Sequence, residues 1–322
     1  MNKIISNKIN LIRIISMFSI VLCHYLQYYN IYLAFWFNVG VQIFFIISAV
    51  LYGAKDIKDF KTFWKNKVFK LLIPYYIVLI CYFFISYIFD KNNFSLLNVF
   101  YYFTGSQAFN TSISPIAHFW FISYILIFYM IIYLLQKYDI SKDKNFFLKL
   151  LLIMIGIQAF QFLNIININA SYLNLFISSY YLSRRYFKYK IKDNYKLIFI
   201  VSFIICLIGI PIQICFENMH LTNLYYKLFI VYHDYIHCVL GIVLFLLFVK
   251  ILPSINNKYI NYLSNISYYV YLVHQIFILG AFSLLKYKYG IGLSLIAIII
   301  FSNLLYFLTQ WTNHKFLNKK KL

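Results

Sequence analysis

The sequence predicts an all-α, polytopic membrane protein with about ten transmembrane helices and both termini in the cytoplasm. Three observations carry this prediction. Of 322 residues, 63% are hydrophobic and only 11% charged, with a mean hydropathy of +0.76; soluble globular chains carry about 25% charged residues. Apolar runs bounded by charged or turn residues fall at 10–29, 34–53, 71–89, 118–136, 147–164, 170–183, 196–215, 229–250, 266–285 and 290–312, most of them long enough to cross a hydrocarbon core. With the N-terminus inside, 25 of the 29 Lys and Arg fall in inner segments and only Lys91, Lys227, Lys286 and Lys288 fall outside, as cytoplasmic retention of cations requires.

The runs justify themselves in order. The first follows a basic start (Lys3, Lys8, Arg13) that imitates a signal peptide, but no small-residue cleavage site follows, so it is expected to stay as the first span. The fifth and sixth runs are the weakest, because Asn164, Asn167, Asn169 and Ser171 are too polar for lipid and the sixth run is short. One outer connection, residues 90–117, is long, and its middle, SLLNVFYYFTG, is apolar enough to lie on the membrane surface. It reads either as an ordinary interfacial helix or as a lid for an extracellular substrate. A short basic tail, 314–322, closes a single integral-membrane domain spanning 1–322. Nine Gly and four Pro leave most spans as plain helices. No internal repeat is evident.

The net charge of +21 would suggest nucleic acid in a soluble protein. Topology explains it here, and no nucleic-acid partner is expected. Cys23, Cys81, Cys206, Cys215 and Cys238 sit in or beside apolar runs without C-x-x-C spacing, so five free buried thiols are expected.

Ionisable groups within spans are expensive and are the first candidates for function. Arg13 and His24 are eleven residues apart, which places them on one face of a helix, ~16 Å apart along its axis. That spacing puts a permanent cation near the inner surface and an imidazole near mid-membrane; a positive-inside anchor and a core histidine are the structural alternative. Tyr271 lies one turn below His274 on the same face. Ser48 is positioned to bond a polar group at mid-membrane or its own i−4 carbonyl. His118 and Trp120 open the fourth run at the outer surface, as an anchor or a sugar-stacking platform. His233 and His237 have the i, i+4 spacing of a two-histidine metal pair, but no third ligand is evident and no metal is expected. Asp234 between them is placed to orient a histidine or hold an acceptor hydroxyl.

The stretch NLIRIISMFSIVLCH, with Arg-x10-His, resembles the opening signature of acyltransferase family 3, integral-membrane proteins that O-acylate bacterial surface glycans. Four further stretches resemble its motifs in the same order: GVQIFFIISAVLYG (Gly40 to Gly53), KVFKLLIPYY (Lys67 to Tyr76), HFWFISYILIFY (His118 to Tyr129) and SYYVYLVHQIF (Ser267 to Phe277). The chain departs from the pattern at Asn10, where an acid is common, at Ala49, where glycine is usual, and at Lys67 and Lys70, where arginines are common. Lysine keeps the charge and loses bidentate geometry.

The resemblance implies a ten-helix core and O-acyl transfer, most simply of acetyl, from cytoplasmic acyl-CoA to a hydroxyl of a surface polysaccharide or lipid-linked glycan, in the inner membrane of a bacterium. Acetyl-CoA is then a donor substrate, with no permanently bound cofactor. Arg13 and His24 are the expected catalytic pair, with His24 a general base or a covalent acyl carrier. Arg13, Lys67 and Lys70, with Arg184 and Arg185 nearby, are the cations expected to meet the donor phosphates. Ser48, His118, Trp120, Asp234, Tyr271 and His274 are candidates for acceptor binding or support. No SGNH-type soluble domain is expected at either end. The rival functions are an exporter of polysaccharide or lipid-linked sugar, disfavoured by the scarcity of helix breakers and repeats, and a glycosyltransferase, disfavoured by the few acids available outside (Asp90, Glu217, Asp234). Acceptor identity, acyl chain and oligomeric state are not legible.

Overall fold

The computed structural model describes residues 3–89, 95–110, 113–163, 168–217, 219 and 223–317, and among them it contains helices and no strands. Expectations resting on Asp90, Lys91, Asn164, Asn167 and Lys319 to Lys321 lie outside the described residues. The helices are α1 (Lys3–Tyr28), α2 (Ala34–Phe37), α3 (Val39–Gly53), α4 (Phe60–Phe89), α5 (Leu96–Thr104), α6 (Gln107–Asn110), α7 (Trp120–Lys137), α8 (Phe146–Phe162), α9 (Ala170–Ser183), α10 (Tyr195–Glu217), α11 (Asn223–Ile251), α12 (Lys258–Ile278) and α13 (Gly290–Leu317).

Each apolar run carries a helix, and among the described residues seven helical segments are long and apolar enough to cross a membrane. The three others fall short for identifiable reasons: α8 and α9 are 17 and 14 residues long, and α12 holds Ser264, Ser267, His274 and Gln275, all buried. Polar groups of this kind survive in a membrane protein where protein, not lipid, surrounds them. By contrast α10 exposes Leu197, Val201, Ile204, Leu207 and Ile208, and α13 exposes Ile291, Ile296, Ile299 and Ile300. Apolar side chains facing outward at this density mark surfaces solvated by lipid. The chain is a multi-pass membrane protein.

Several boundaries depart from the expected ones. α4 begins eleven residues before its apolar run, because Asp59 caps it, its carboxylate accepting the Thr62 N–H at 3.2 Å; such a cap satisfies one of the orphan donors at a helix start. Lys61, Lys65, Lys67 and Lys70 consequently lie on the helix. The ninth run was expected to continue to 285, but α12 stops at Ile278 and the chain turns at Gly280 (φ 80°). His118 does not open a helix: it lies in a tight 3₁₀ segment, Ser114–Phe119, ahead of α7. The long outer connection carries a helix, α5, which buries Tyr102 and exposes Leu96, Leu97 and Phe100. Two of the five thiols expected to be buried, Cys81 and Cys215, are exposed. They lie on the outward faces of α4 and α10, where lipid replaces the protein core.

The chain forms two compact units, each discontinuous in sequence. The first comprises 1–19, 36–56 and 132–260; α3 packs against α9 and α11, and α10 against α11. Close approach of α3 and α9 requires Gly53, where an added Cβ would lie 2.4 Å from the Tyr180 carbonyl oxygen. The Ser183 hydroxyl donates across the same contact to the Val50 carbonyl at 2.9 Å. The second unit comprises 20–35, 57–131 and 261–322. There Tyr75 of α4 donates to the Tyr102 carbonyl at 2.6 Å, and Tyr268 of α12 to the Leu71 carbonyl at 2.8 Å.

Candidate functional site

Three histidines from distant parts of the sequence meet inside the second unit. The ring of His24 on α1 lies 5.1 Å from that of His274 on α12 and 6.4 Å from that of His118; His118 and His274 are 4.9 Å apart. His274 is fully buried and His118 is 5% exposed. Among the described residues, neither ring nitrogen of His118 has a hydrogen-bond partner, nor does Nε2 of His274. Burying such atoms unpaired costs about 1–3 kcal/mol each, which makes the cluster a candidate for function.

The second nitrogens define the tautomers. Nδ1 of His274 lies 2.7 Å from the Tyr271 carbonyl oxygen, one turn earlier. A carbonyl only accepts, so Nδ1 carries the proton and Nε2 presents its lone pair to the cluster. His24 Nδ1 lies 2.9 Å from Gln27 Oε1; with the amide in this orientation Nδ1 is the donor and Nε2 the basic nitrogen.

The turn carrying His118 is held from several sides. Gln275 Oε1 accepts the His118 N–H at 3.2 Å, and Gln275 Nε2 donates to the Ser114 carbonyl at 2.6 Å. The Tyr271 hydroxyl donates to the His118 carbonyl, and Gln107 Nε2 to that of Phe119 at 2.6 Å. Pro115 rests against Gly280, where an added Cβ would fall 2.2 Å from the proline ring. Among the described residues no group of three or more His, Cys, Asp or Glu side chains is arranged to hold a metal ion.

Of the residues expected from the sequence, His24, His118, Tyr271 and His274 come together. Trp120 follows directly on α7, half-buried and edge-on to Tyr124 at 5.6 Å. Lys67 is half-buried and Lys70 exposed, both on α4. Arg13 on α1 and Ser48 on α3, both half-buried, belong to the first unit. So does Asp234, which accepts from Asn169 at 2.5 Å and pairs with His233 at 3.1 Å. The rings of His233 and His237 stack face to face at 4.8 Å, and His237 stacks on Trp36 at 5.0 Å. Sequence reasoning missed Gln27 and Gln275. Gln275 stood next to His274 in the quoted SYYVYLVHQIF stretch, and Gln27 one helical turn beyond His24.

A family profile described as an acyltransferase domain matches residues 6–316, nearly the whole chain. The chain belongs to acyltransferase family 3. No curated protein and no solved structure compared with the chain matches it.

In this family 3 acyltransferase, Arg184 and Arg185, the cations noted as near the expected donor contacts, are each paired with carboxylates. Both lie in a π-helical turn, Arg184–Lys188, and are buried. Arg184 pairs with Asp139 at 2.7 Å and Asp56 at 2.9 Å. Arg185 grips Asp193 through two nitrogens at 2.8 and 2.7 Å and lies over the Phe146 ring at 4.3 Å. The hydrogen bond from Lys188, with Arg184 adding to it and burial opposing, holds the Asp56 carboxyl below its usual range. Burial pushes the Asp139 carboxyl up, but hydrogen bonds from Tyr189, Ser141 and Arg184 outweigh it and keep it low. Each guanidinium thus has its charge compensated by carboxylate and also donates to a backbone carbonyl, Arg184 to Lys55 at 3.4 Å and Arg185 to Ser141 at 2.8 Å, so neither is an uncompensated cation.

Proposed function

We propose that this acyltransferase moves an acyl group, most simply acetyl, from cytoplasmic acyl-CoA to a hydroxyl of a surface polysaccharide or lipid-linked glycan in a bacterial inner membrane. The observation that carries the reading is the cluster of His24, His118 and His274, in which both ring nitrogens of His118 and Nε2 of His274 have no hydrogen-bond partner among the described residues. Acyl transfer to an alcohol needs a base near neutrality, and histidine supplies one without a metal or redox partner. Ten spans with both termini cytoplasmic, as the 25 inner cations suggest, put the donor on one side and the acceptor on the other.

In the reaction, Nε2 of His24 takes the proton of the acceptor hydroxyl as its oxygen bonds to the thioester carbonyl carbon. The tetrahedral intermediate collapses with cleavage of the carbon–sulfur bond, and the imidazolium returns its proton to the departing CoA thiolate. Ester and CoA thiol are the products. The second route, in which His24 itself carries the acyl group, uses the same nitrogen as nucleophile. Lys67 and Lys70 on α4 and Arg13 on α1 are the proposed phosphate contacts.

Two measurements test this. Mass spectrometry of surface glycan from cells with and without the gene should show loss of the acyl ester with the glycan itself retained; loss of the glycan favours an exporter, and an unchanged, still acylated glycan overturns the reading. His24→Ala in the intact membrane protein should lower transfer at least ~10²-fold with expression unchanged; full acylation in that variant removes His24 from the chemistry. Rapid-quench capture of radiolabelled acyl enzyme separates the covalent route from the direct one.

A further inference from the structure

The first unit encloses a groove of about 620 Å³ between α3, α9, α10 and α11, within the range of small-ligand sites. Its walls are hydrocarbon, with Ile46, Val50, Leu182, Phe199, Phe245 and Leu246 among the lining side chains. Three of its hydroxyls are spent within the protein: Ser178 donates to the Leu175 carbonyl at 3.1 Å, Ser183 to that of Val50 at 2.9 Å, and Tyr195 to that of Leu182 at 3.2 Å.

One end differs. Lys196 in the first turn of α10 and Lys250 in the last turn of α11 both line the groove and are exposed. Lys8 reaches the same end, donating to the Val249 carbonyl at 2.7 Å. No Asp or Glu lines the groove. An apolar slot with cations at one end matches a ligand with a hydrocarbon tail and an anionic head.

We propose that this groove binds an anionic diacyl phospholipid, one acyl chain inside it and the phosphate on Lys196 and Lys250. A pantetheine arm fits less well, because its two amides would be buried against walls that are mostly hydrocarbon, with three of the hydroxyls already bonded, at a cost of about 1–3 kcal/mol for each amide left unpaired. Lysines at a membrane surface attract acidic headgroups in the way this site needs. The proposal is independent of acyl transfer.

The test uses the full-length protein in detergent, with palmitoyl-oleoyl phosphatidylglycerol and its phosphatidylcholine counterpart as probes and native mass spectrometry as readout. Phosphatidylglycerol should bind on the order of tenfold tighter than phosphatidylcholine. The doubly substituted Lys196→Gln, Lys250→Gln protein should lose that preference, and Lys196→Arg with Lys250→Arg should restore it. Val50→Phe, which narrows the slot, should weaken both lipids, with a melting curve to confirm folding; the lysine variants, altered only at exposed positions, test the site independently of it. Equal binding of the two lipids, or a preference that survives in the glutamine variant, overturns the proposal. So does displacement of phosphatidylglycerol by acetyl-CoA or by glycerol phosphate alone, since the occupant would then be a donor or a free phosphate.

Discussion

Gln275 holds the backbone of His118 in place: its carbonyl oxygen accepts the His118 N–H at 3.2 Å while its amide nitrogen donates to the Ser114 carbonyl at 2.6 Å. One side chain on α12 therefore fixes both ends of the turn that carries a cluster histidine, next to His274 on the same helix.

Gln275 should behave as a positioning residue. Gln275→Ala releases the turn, and a displacement of ~1 Å near reacting atoms costs about 10²-fold in rate. The expected result is a fall in kcat with little change in KM for acetyl-CoA. Gln275→Glu, which keeps the acceptor for the His118 N–H, should recover part of the loss. Equal loss of kcat and of folded protein would indicate a purely structural role.

Gly280→Ala attacks the same turn from the other side. The residue sits at φ 80°, and the new methyl would lie 2.2 Å from Pro115. Either Pro115 moves or α12 ends differently, at about 1–3 kcal/mol. Glycan acylation should drop with the protein still present in the membrane, measured by immunoblot alongside ester release.

Lys67 and Lys70, as donor contacts, should affect binding more than chemistry. Substituting either with alanine should raise the KM for acetyl-CoA about tenfold, the loss of one charge-assisted hydrogen bond, and substituting both about 10²-fold, with kcat nearly unchanged. Added salt should weaken the parent protein in the same direction. An unaltered KM would place the donor phosphates elsewhere.

Arg184 makes a separate prediction about stability. It is 1% exposed and held by Asp139 and Asp56. Asp139→Ala leaves a buried guanidinium half-compensated, which costs about 3–5 kcal/mol and should appear as a lower Tm. Arg184→Met with Asp139→Leu, which removes both members of the pair, should recover much of that loss.

The same carboxylates set an acid limit. Asp56 and Asp139 have folded pKa values below the ordinary 3.8, so the folded state binds fewer protons than the unfolded one over that interval. Their contribution is complete above about pH 4 and is lost as pH falls through the lowered folded values. Melting of the purified protein should be insensitive to these groups from pH 7 to 5 and decline below about pH 4. In the Asp139→Ala protein that decline should be shallower.

Much of the fold was legible in the sequence for a simple reason. Lipid excludes charge and unpaired backbone groups, so apolar run length alone marks helices such as α10 and α13, and the positions of 29 cations suggest their direction. The Arg-x10-His spacing and the ordered motifs pointed to the family by residue identity alone. Helix ends were less legible where a polar cap extended a helix beyond its apolar run, as Asp59 does for α4, or where an unusual φ stopped one early, as at Gly280.

The site was only half-written in the sequence. His24 and His274 stood out because an imidazole within an apolar run is costly, yet nothing along the chain said that they share a cluster. His118 looked like a surface residue because it begins an apolar run; its burial depends on a turn held by Gln275, Tyr271, Gln107 and Gly280. Arg184 and Arg185 looked like free cations until Asp56, Asp139 and Asp193 were brought to them. The sequence by itself determined the membrane character, the helices and the family, because those follow from local polarity and residue identity. Which imidazoles meet and which cations are neutralised was decided only in three dimensions, where contacts join residues from distant parts of the chain, as far apart as His24 and His274.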